Sequence, residues 1–289
     1  MRPHRLTILG VGLLGGSIGL AVRSVLNDCH IVGYGHRHSS LEAAKEIGAI
    51  DEMCDDAGKA VHGADLVILC TPVGIFDKML QEIAGGLKRG AVVTDVGSTK
   101  RSVVSLAERI LPGQAHFVGS HPMAGSEKRG VEFARTDLFQ NALCITTPTE
   151  KTDARALGQV EGFWNLLGMR ITRLSPEAHD KHLADVSHLP HVVAGAMIAM
   201  QLNEALPLAG KGFMDATRIA GGDGGLWRDI LLDNRDNLKA SLNRLKMHID
   251  HLLTLLEPAE ADKLRAWLDG AAGRREKLLE QKLRELNPD

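Results

Sequence analysis

With 289 residues, the chain is long enough for two domains, each with its own hydrophobic core. Its 44% hydrophobic and 24% charged residues are ordinary for a globular protein, and the formal net charge of −2 gives no reason to expect nucleic acid or a membrane as a partner. The four cysteines are scattered without a Cys-x-x-Cys pair, which favours reduced thiols in a cytoplasmic protein over a zinc site.

A glycine-rich turn follows the first predicted strand, residues 6–9, and leads into an apolar helix that runs to about Leu26. Gly10, Gly12 and Gly15 have the spacing of a dinucleotide fingerprint. The first permits a tight turn, the second lets a pyrophosphate approach the backbone, and the third lets the helix pack on the strand. Because the helix N-terminus also offers free N–H groups to phosphates, the sequence predicts a dinucleotide-binding site here.

The end of the second predicted strand, His30–Tyr34, bears on the choice of cofactor. Dinucleotide-binding folds usually carry an Asp or Glu there for the adenosine ribose, but this chain has Gly35. Without the acid a ribose 2′-phosphate is not repelled, and Arg37 with the serines after it is suited to bind one. We therefore expect NADP as the preferred cofactor, with NAD as the alternative if these residues form only a solvated polar turn. The predicted cofactor contacts are Gly10, Gly12, Leu13, Leu14, Gly15, His36, Arg37, Ser39, Thr71, Pro72 and Ser98.

Strand and helix patterns alternate over the first 173 residues. Further strands are predicted at residues 65–71, 91–95, 116–119, 143–146 and 169–172, with helices between them. The alternation predicts a Rossmann-type parallel sheet, in which ligands bind beyond the carboxyl ends of the strands. Thr71, Ser98 and His121 all follow such ends, so we expect their loops to converge on one crevice.

His121 begins the sequence His-Pro-Met-Ala-Gly-Ser-Glu-Lys, directly after a predicted strand. Pro122 and Gly125 favour an ordered turn over a helix, and such a turn can hold an imidazole at the mouth of a cleft. Considered alone, a histidine in this position is more often an ordinary surface residue.

The pattern changes at Ser175, which is followed by Pro176 and Glu177 in the arrangement of a helix N-terminus. No convincing strand follows. We therefore place a domain boundary here, with a dinucleotide-binding domain at residues 1–173 and an all-α helical domain at residues 174–289.

Histidines are frequent on the first helix of the second predicted domain, at positions 179, 182, 188 and 191. Pro190 lacks an N–H and crowds the carbonyl of Val186, which predicts a kink near His188 and His191. A metal site is the rival interpretation, but no acidic or cysteine partner stands at a suggestive spacing, so we expect none.

Two later features suggest a ligand and a partner. Arg218 precedes the glycine-rich loop 221–225, and its planar guanidinium suits either a carboxylate ligand or a structural ion pair. Leucine and isoleucine then recur in alternating steps of four and three at positions 238, 242, 245, 249, 252 and 256. That spacing is typical of a coiled coil and predicts a homodimer through the helical domain.

The assembled motifs resemble the prephenate and arogenate (cyclohexadienyl) dehydrogenases of tyrosine biosynthesis. The similarity lies in Gly-x-Gly-x-x-Gly-Gly-Ser (10–17), Thr-Asp-Val-Gly-Ser-Thr-Lys (94–100), His-Pro-Met-Ala-Gly-Ser-Glu (121–127), Ser-His-Leu-Pro-His (187–191), Thr-Arg-Ile-Ala (217–220) and Trp-Arg-Asp-Ile (227–230). The first motif is shared by many enzymes, whereas the others in this order are specific. The resemblance implies a Rossmann-type domain, a helical dimerisation domain and oxidative decarboxylation of prephenate or arogenate.

The resemblance also implies roles for individual residues. His121 matches the base that takes the substrate hydroxyl proton, Ser98 the serine that hydrogen-bonds this hydroxyl, and Arg218 the arginine that binds a substrate carboxylate. The other implied pocket residues are His179, His188 and His191 on the helical wall, Ser126 and Glu127 on the rim, and Asp215 and Trp227 on the closing side.

Other classes of protein remain open from the sequence. A β-hydroxyacid or imine-reductase type of dehydrogenase keeps the glycine-rich turn and a helical dimer domain but uses a Lys or Asp on the interdomain helix. A non-enzymatic redox sensor binds NADPH without a polar pocket. The sequence does not choose between prephenate and arogenate, which differ by a keto or amino group on the side chain.

Overall fold

The computed structural model describes residues 2–286, and the chain divides into two compact units, Met1–Arg235 and Asp236–Asp289. The first unit contains the sheet and the helices around it. The second consists of two long helices. None of the helices in the described part of the chain is long and apolar enough to cross a membrane.

One eight-stranded sheet forms the centre of the first unit, with the strand order β3-β2-β1-β4-β5-β6-β7-β8. Its strands are β1 (Arg5–Leu9), β2 (His30–Tyr34), β3 (Glu52–Cys54), β4 (Leu66–Leu69), β5 (Val92–Asp95), β6 (His116–Pro122), β7 (Leu143–Thr147) and β8 (Arg170–Arg173). The predicted parallel Rossmann-type sheet is confirmed for β1 to β6. The short strand β3 was not predicted, because its three partly exposed residues carry no apolar run.

Strand β7 departs from the fully parallel prediction, since it runs antiparallel to β6 while β8 is parallel to β7. A parallel connection needs a crossover that is usually helical. Residues 123–142 between β6 and β7 contain no α-helix and only one short helical turn, Val131–Phe133. The chain therefore turns back and pairs with β6 in the opposite direction.

Helices cover both faces of the sheet. They are α1 (Leu13–Val25), α2 (His38–Glu46), α3 (Ala57–Ala60), α4 (Phe76–Ala84), α5 (Arg101–Ile110) and α6 (Ala154–Leu166). Successive residues of a strand point to opposite faces, so each strand supplies two cores. Ile8 of β1 is buried in one core with Trp164 of α6, while Leu9 is buried in the other with Phe76 of α4.

Four α-helices follow the sheet within the first unit: α7 (Pro176–Leu183), α8 (Leu189–Ala199), α9 (Lys211–Thr217) and α10 (Gly224–Asp233). A π-helical turn (Ala184–His188) joins α7 to α8, and short 3₁₀ turns lie at Leu206–Leu208 and Arg218–Gly221. The predicted start at Ser175 is confirmed, because its hydroxyl accepts a hydrogen bond from the N–H of Ala178 at 3.1 Å. The distortion predicted from Pro190 takes the form of the π-helical turn just before it. A wider turn accommodates a residue that has no N–H to donate.

The second unit begins within helix α11 (Arg235–Leu255) and ends with α12 (Ala261–Leu286). Along the predicted leucine seam of α11, Leu238 is 7% exposed, whereas Ile249 is 49% exposed and Leu256, just after the helix, is 60% exposed. Exposed apolar side chains at coiled-coil spacing leave this helix with unburied hydrophobic surface.

Candidate active site

The glycine-rich turn between β1 and α1 has the geometry that its spacing predicts. Gly10 has φ +104°, and a Cβ there would stand 2.9 Å from the backbone of Cys70. A Cβ on Gly15 would stand 2.9 Å from Cγ2 of Ile8 and closer still to the carbonyl oxygen of Gly10. A Cβ on Gly12 would meet nothing within 4 Å. The turn is thus tight at Gly10 and Gly15 and open at Gly12, where a ligand can approach.

The N-terminus of α1 is suited to bind phosphate. Gly12 is its N-cap residue and provides no side chain to bond the free N–H groups of the first turn. Those N–H groups and the helix dipole favour a negative charge at this point. The residues present therefore fit the pyrophosphate of a dinucleotide.

A cavity of about 370 Å³ adjoins the glycine turn and extends along the end of β2. Gly35, His36, Arg37 and Ser40 line it, together with residues of α4. Ser39, which was predicted to contact the cofactor, lines neither this cavity nor the larger cleft described next. Helix α2 has already begun at His38, so Ser39 points outward while the next residue faces the cavity.

A larger cleft of about 650 Å³ adjoins the same glycine turn and shares Gly12, Arg37 and Thr71 with the first cavity. It brings together the three loops that the sequence predicted to converge, represented by Thr71, Ser98 and His121. The other predicted site residues on its wall are Gly12, Leu13, Leu14, Arg37, Pro72, Ser126 and Trp227. The predicted cofactor turn and the predicted base therefore share one cleft.

His121 lies near the end of β6, where it is opposite Ile145 of β7, and only 7% of the residue is exposed. His121 is thus part of strand β6, whereas the sequence predicted that it begins a turn. Burial lowers the pKa of His121 well below its ordinary value. The electrostatic influence of His179, Lys100 and His188 acts in the same direction. The imidazole is therefore neutral at neutral pH and can accept a proton.

A chain of hydrogen bonds leads from His121 into the protein interior. Nδ1 of His121 is 2.9 Å from Nε2 of His179, and Nδ1 of His179 is 2.8 Å from Oδ1 of Asp180. Asp180 also accepts hydrogen bonds from the backbone N–H groups of Lys100, at 2.7 Å, and Arg101, at 2.9 Å. His179 is fully buried and does not line the cleft, so it lies behind the predicted base.

The loop that carries Ser98 rests on a buried ion pair. Lys100 and Asp95 are both completely buried, and the ammonium group of the lysine bonds to the carboxylate. Asp95 further accepts the N–H of Gly97 at 2.8 Å and that of Ser120 at 3.0 Å. One carboxylate therefore fixes both the Ser98 loop and the residue before His121.

Other predicted substrate residues lie around the cleft. His191 stacks on Trp227 with ring centroids 3.5 Å apart, and His188 is held by Asn234 at 3.1 Å. Nε2 of His188 and Nδ1 of His191 are buried without a hydrogen-bond partner. Neither histidine lines the cleft, although Trp227 does.

Arg218, which was predicted to bind a substrate carboxylate, forms an exposed ion pair with Glu127 at 2.8 Å. Neither residue lines the cleft, and Asp215 is exposed and also outside it. A second ion pair, between Arg129 and Asp223, lies on the cleft wall. Arg218 thus forms the structural ion pair that the sequence left open as the alternative to a carboxylate ligand.

Several residues of this site were not identified from the sequence. Asp180 follows a histidine on a helix, and no sequence pattern distinguishes it from an ordinary surface acid. Lys128, Arg129, Ser187 and Asp223 also line the cleft, and no role was predicted for them from the sequence, although Ser187 begins the Ser-His-Leu-Pro-His motif and Lys128 ends the sequence that starts at His121. No cluster of potential metal ligands occurs within residues 2–286.

The sheet, the glycine turn that fits a pyrophosphate and the neutral imidazole in the adjoining cleft are the features of a dinucleotide-dependent dehydrogenase. Comparisons with known proteins specify it further. The family model of the prephenate dehydrogenase nucleotide-binding domain matches residues 18–173, and that of the prephenate dehydrogenase dimerization domain matches residues 175–270. The chain belongs to the prephenate dehydrogenase family, and it is therefore an oxidoreductase.

Individual relatives agree with this assignment. A prephenate dehydrogenase of Bacillus subtilis is 38% identical over 91% of this chain and 74% of its own length. A cyclohexadienyl dehydrogenase of Zymomonas mobilis is 34% identical over 90% of each chain. The crystal structure of prephenate dehydrogenase from Aquifex aeolicus with hydroxyphenyl propionate and NAD⁺ superposes with a TM-score of 0.89, at 35% identity, and covers 95% of this chain and 98% of that one. The Synechocystis arogenate dehydrogenase structure gives 0.80 at 31% identity, with 95% and 99% covered.

Proposed function

We propose that the protein binds prephenate or arogenate in the 650 Å³ cleft and catalyses its oxidative decarboxylation, with His121 as the catalytic base. The observation that carries this proposal is the buried, neutral imidazole of His121 on the wall shared with Ser98 and the glycine turn. The family relationship supports the substrate class. The four free cysteines, Cys29, Cys54, Cys70 and Cys144, support a reducing compartment such as the cytoplasm.

The chemistry explains why a neutral imidazole is required. A bound nicotinamide dinucleotide supplies the hydride acceptor. His121 accepts the proton of the substrate hydroxyl as the hydride leaves the carbon that carries this hydroxyl. Ser98, on the same cleft wall, hydrogen-bonds the hydroxyl oxygen. The bond between the ring and its carboxylate then breaks, carbon dioxide departs, and the bonding electron pair moves into the ring, which becomes an aromatic phenolate. The imidazolium of His121 returns the proton to that phenolate oxygen, which gives the phenol and restores the neutral base. A protonated imidazole has no lone pair for the first of these transfers.

Replacing the base tests the proposal. We expect His121→Asn to lower kcat by roughly 10²- to 10⁴-fold, the usual contribution of a positioned base, while the KM values change little. His182→Asn is the matched control, because His182 is an exposed histidine on α7. Steady-state rates with prephenate and with arogenate would also identify the substrate. A His121→Asn enzyme that keeps wild-type kcat on both compounds would refute the proposed role.

We propose further that the cofactor is NADP. Gly35 takes the position where an acid would repel a 2′-phosphate, and Arg37 is the N-cap residue of α2 on the wall of the 370 Å³ cavity. We expect Arg37→Asp to shift the ratio of kcat/KM values from NADP toward NAD. Arg89→Asp, a charge reversal at an exposed position outside both cavities, is the control. An unchanged ratio in Arg37→Asp would remove Arg37 from cofactor choice.

Arg218 is proposed to bind a carboxylate of the substrate. Support comes from its exposed, planar guanidinium, which is paired with Glu127 outside the cleft wall and would exchange that partner for the substrate carboxylate. Removing it in Arg218→Ala should chiefly raise KM for the substrate, and Arg228→Ala, another exposed arginine paired with an acid, serves as control. Equal KM values in the wild type and in Arg218→Ala would contradict this role.

The partner proposed for the helical region is a second copy of the chain. The match to a dimerization domain over residues 175–270 and the exposed seam residue Ile249 support it. We expect Leu245→Glu with Ile249→Glu to give monomers in sedimentation velocity, because charges in a seam oppose pairing. Lys246→Glu adds a similar charge at an exposed position and should remain dimeric. A double variant that sediments as a dimer would show that the contact lies elsewhere.

A further inference from the structure

Two buried polar side chains, His179 and Asp180, lie behind His121 and are hydrogen-bonded to it in a row. His179 is completely buried and Asp180 is only 2% exposed, and neither lines the cleft. Both side chains are nevertheless polar, and Asp180 is acidic. Burying a carboxylate and an imidazole is costly unless each is hydrogen-bonded. Here both are, and the bonds connect them in a row to Nδ1 of His121.

The direction of each hydrogen bond follows from the charge on Asp180. Its carboxylate accepts backbone N–H groups from Lys100 and Arg101 at the start of α5, besides the bond with His179. Three donors favour the ionised form, and the pKa of Asp180 is lowered despite the opposing effect of burial. An ionised carboxylate can only accept, so Nδ1 of His179 must donate to it.

The rest of the row is then determined. Burial also lowers the pKa of His179, so its ring is neutral and has one N–H, which is the one on Nδ1. Nε2 of His179 must therefore accept, and the donor facing it at 2.9 Å is Nδ1–H of His121. His121 consequently has no proton on Nε2, and that nitrogen carries the lone pair available to the cleft.

We propose that Asp180 and His179 are positioning residues that fix His121 in the Nδ1–H tautomer and support its positive charge once it has accepted the substrate proton. Neither touches the substrate. Asp180 has a second effect, because its bonds to the first N–H groups of α5 also hold the segment directly after Ser98. One carboxylate from α7 thus sets the position of both proposed catalytic side chains. This inference rests on the proposed role of His121.

The charged and titratable neighbours must be considered when pH is varied. His121 is influenced by His179, Lys100 and His188. His179 is influenced by Asp180, Lys100 and Asp95, of which only the lysine opposes protonation. Removing the charge of Asp180 leaves Lys100 in place, so the proton affinity of the row must fall.

The test is Asp180→Asn, whose amide can donate to Nδ1 of His179 and so reverse every proton in the row. His121 then carries its proton on Nε2 and loses the lone pair toward the cleft. We expect kcat to fall by at least about 100-fold with KM values for substrate and cofactor within about threefold of wild type. The acidic limb of the kcat profile should also move to lower pH, because the remaining imidazolium lacks its counter-charge. A merely structural role for Asp180 would lower kcat without moving that limb, and this result would overturn the proposal.

Nitrogen-15 NMR of histidine in the free enzyme reads the tautomer without any turnover. The wild type should show His121 protonated on Nδ1 and bare on Nε2, and Asp180→Asn should show the reverse. If Asp180→Asn does not fold, His179→Gln keeps the bonds of Asp180 to the first N–H groups of α5 and breaks the row, and His121 should then populate both tautomers. His182→Gln on the exposed side of α7 is the control for both variants. An Nε2–H tautomer in the wild type, or a tautomer unaffected by either variant, would refute the inference whether or not His121→Asn supports the proposed function.

Discussion

Two glycines of the turn separate a requirement of folding from a requirement of binding. An alanine methyl at Gly15 would lie 2.9 Å from Cγ2 of Ile8 and closer to the carbonyl oxygen of Gly10. A backbone oxygen cannot rotate away, so α1 must move off β1. Overpacking of this kind costs about 1–3 kcal/mol. The better helix propensity of alanine returns up to about 1 kcal/mol. We therefore expect Gly15→Ala to lower the free energy of unfolding by about 1–2 kcal/mol.

Gly12→Ala is the matched variant. Gly12 has φ −104°, which alanine adopts, and a Cβ there meets nothing within 4 Å. The free energy of unfolding should thus stay within about 0.5 kcal/mol of wild type. Cofactor affinity should nevertheless fall by at least about tenfold, or about 1.4 kcal/mol, because the methyl group occupies the approach of the pyrophosphate.

Both variants are measured by urea unfolding at one fixed protein concentration and by titration with NAD and NADP. The concentration is fixed because association with a second chain would contribute to stability. If Gly12→Ala binds both cofactors as the wild type does, the pyrophosphate does not approach the backbone at this turn. If Gly15→Ala is as stable as the wild type, close packing of α1 on β1 at this residue does not limit stability.

Two further predictions concern buried ionisable groups. Lys100→Met should destabilise the protein by about 3–5 kcal/mol in urea unfolding, because it leaves the carboxylate of Asp95 buried without its counter-charge. Adding Asp95→Asn should recover part of this loss. Equal stability of Lys100→Met and the wild type would contradict the reasoning. Burial lowers the pKa of His188 to about 4, so below pH 6.5 the unfolded chain takes up a proton that the folded one does not. The free energy of unfolding should fall by about 2 kcal/mol from this residue between pH 7.5 and 5, and His188→Gln should show a smaller fall; identical pH dependence in the two proteins would exclude it.

The fold was accessible from the sequence where its elements are long and periodic. The strand and helix on either side of Gly10 were predicted because an apolar strand, a glycine spacing and an apolar helix each point to the same unit. The antiparallel direction of β7 was not, since it depends on the absence of a helix in residues 123–142, and a negative signal of that kind is weak in a single sequence. Strand β3 was missed for a different reason, because its three partly exposed residues owe their extended form to pairing with β2.

The site was predictable in its motifs but not in its supports. Ser98 and His121 stand in recognisable sequences at the ends of strands, and topology brings such ends together. Asp180 lies 80 positions from the backbone N–H of Lys100 that it binds, and the sequence contains no pattern that links them. The same holds for Arg218, whose ion pair with Glu127 spans 91 positions. An arginine in a sequence looks the same whether its guanidinium binds a ligand or a neighbouring side chain, so the sequence alone does not distinguish the two.

The polar groups behind the cleft are better explained by orientation than by stability. Asp95, Lys100, His179 and Asp180 are all at least 98% buried. Well-packed apolar residues in place of a buried ion pair are commonly as stable or more so. Such a cluster contributes direction instead, because each carboxylate holds two backbone N–H groups and one side chain at fixed angles. Asp95 holds the strand that carries His121, and Asp180 holds the helix that follows Ser98. Adding Asp95→Asn to Lys100→Met removes the unpaired buried charge and should restore stability in part. It does not restore the hydrogen-bond geometry that holds the Ser98 loop and the His121 strand, so we expect the doubly substituted enzyme to be stable but slow.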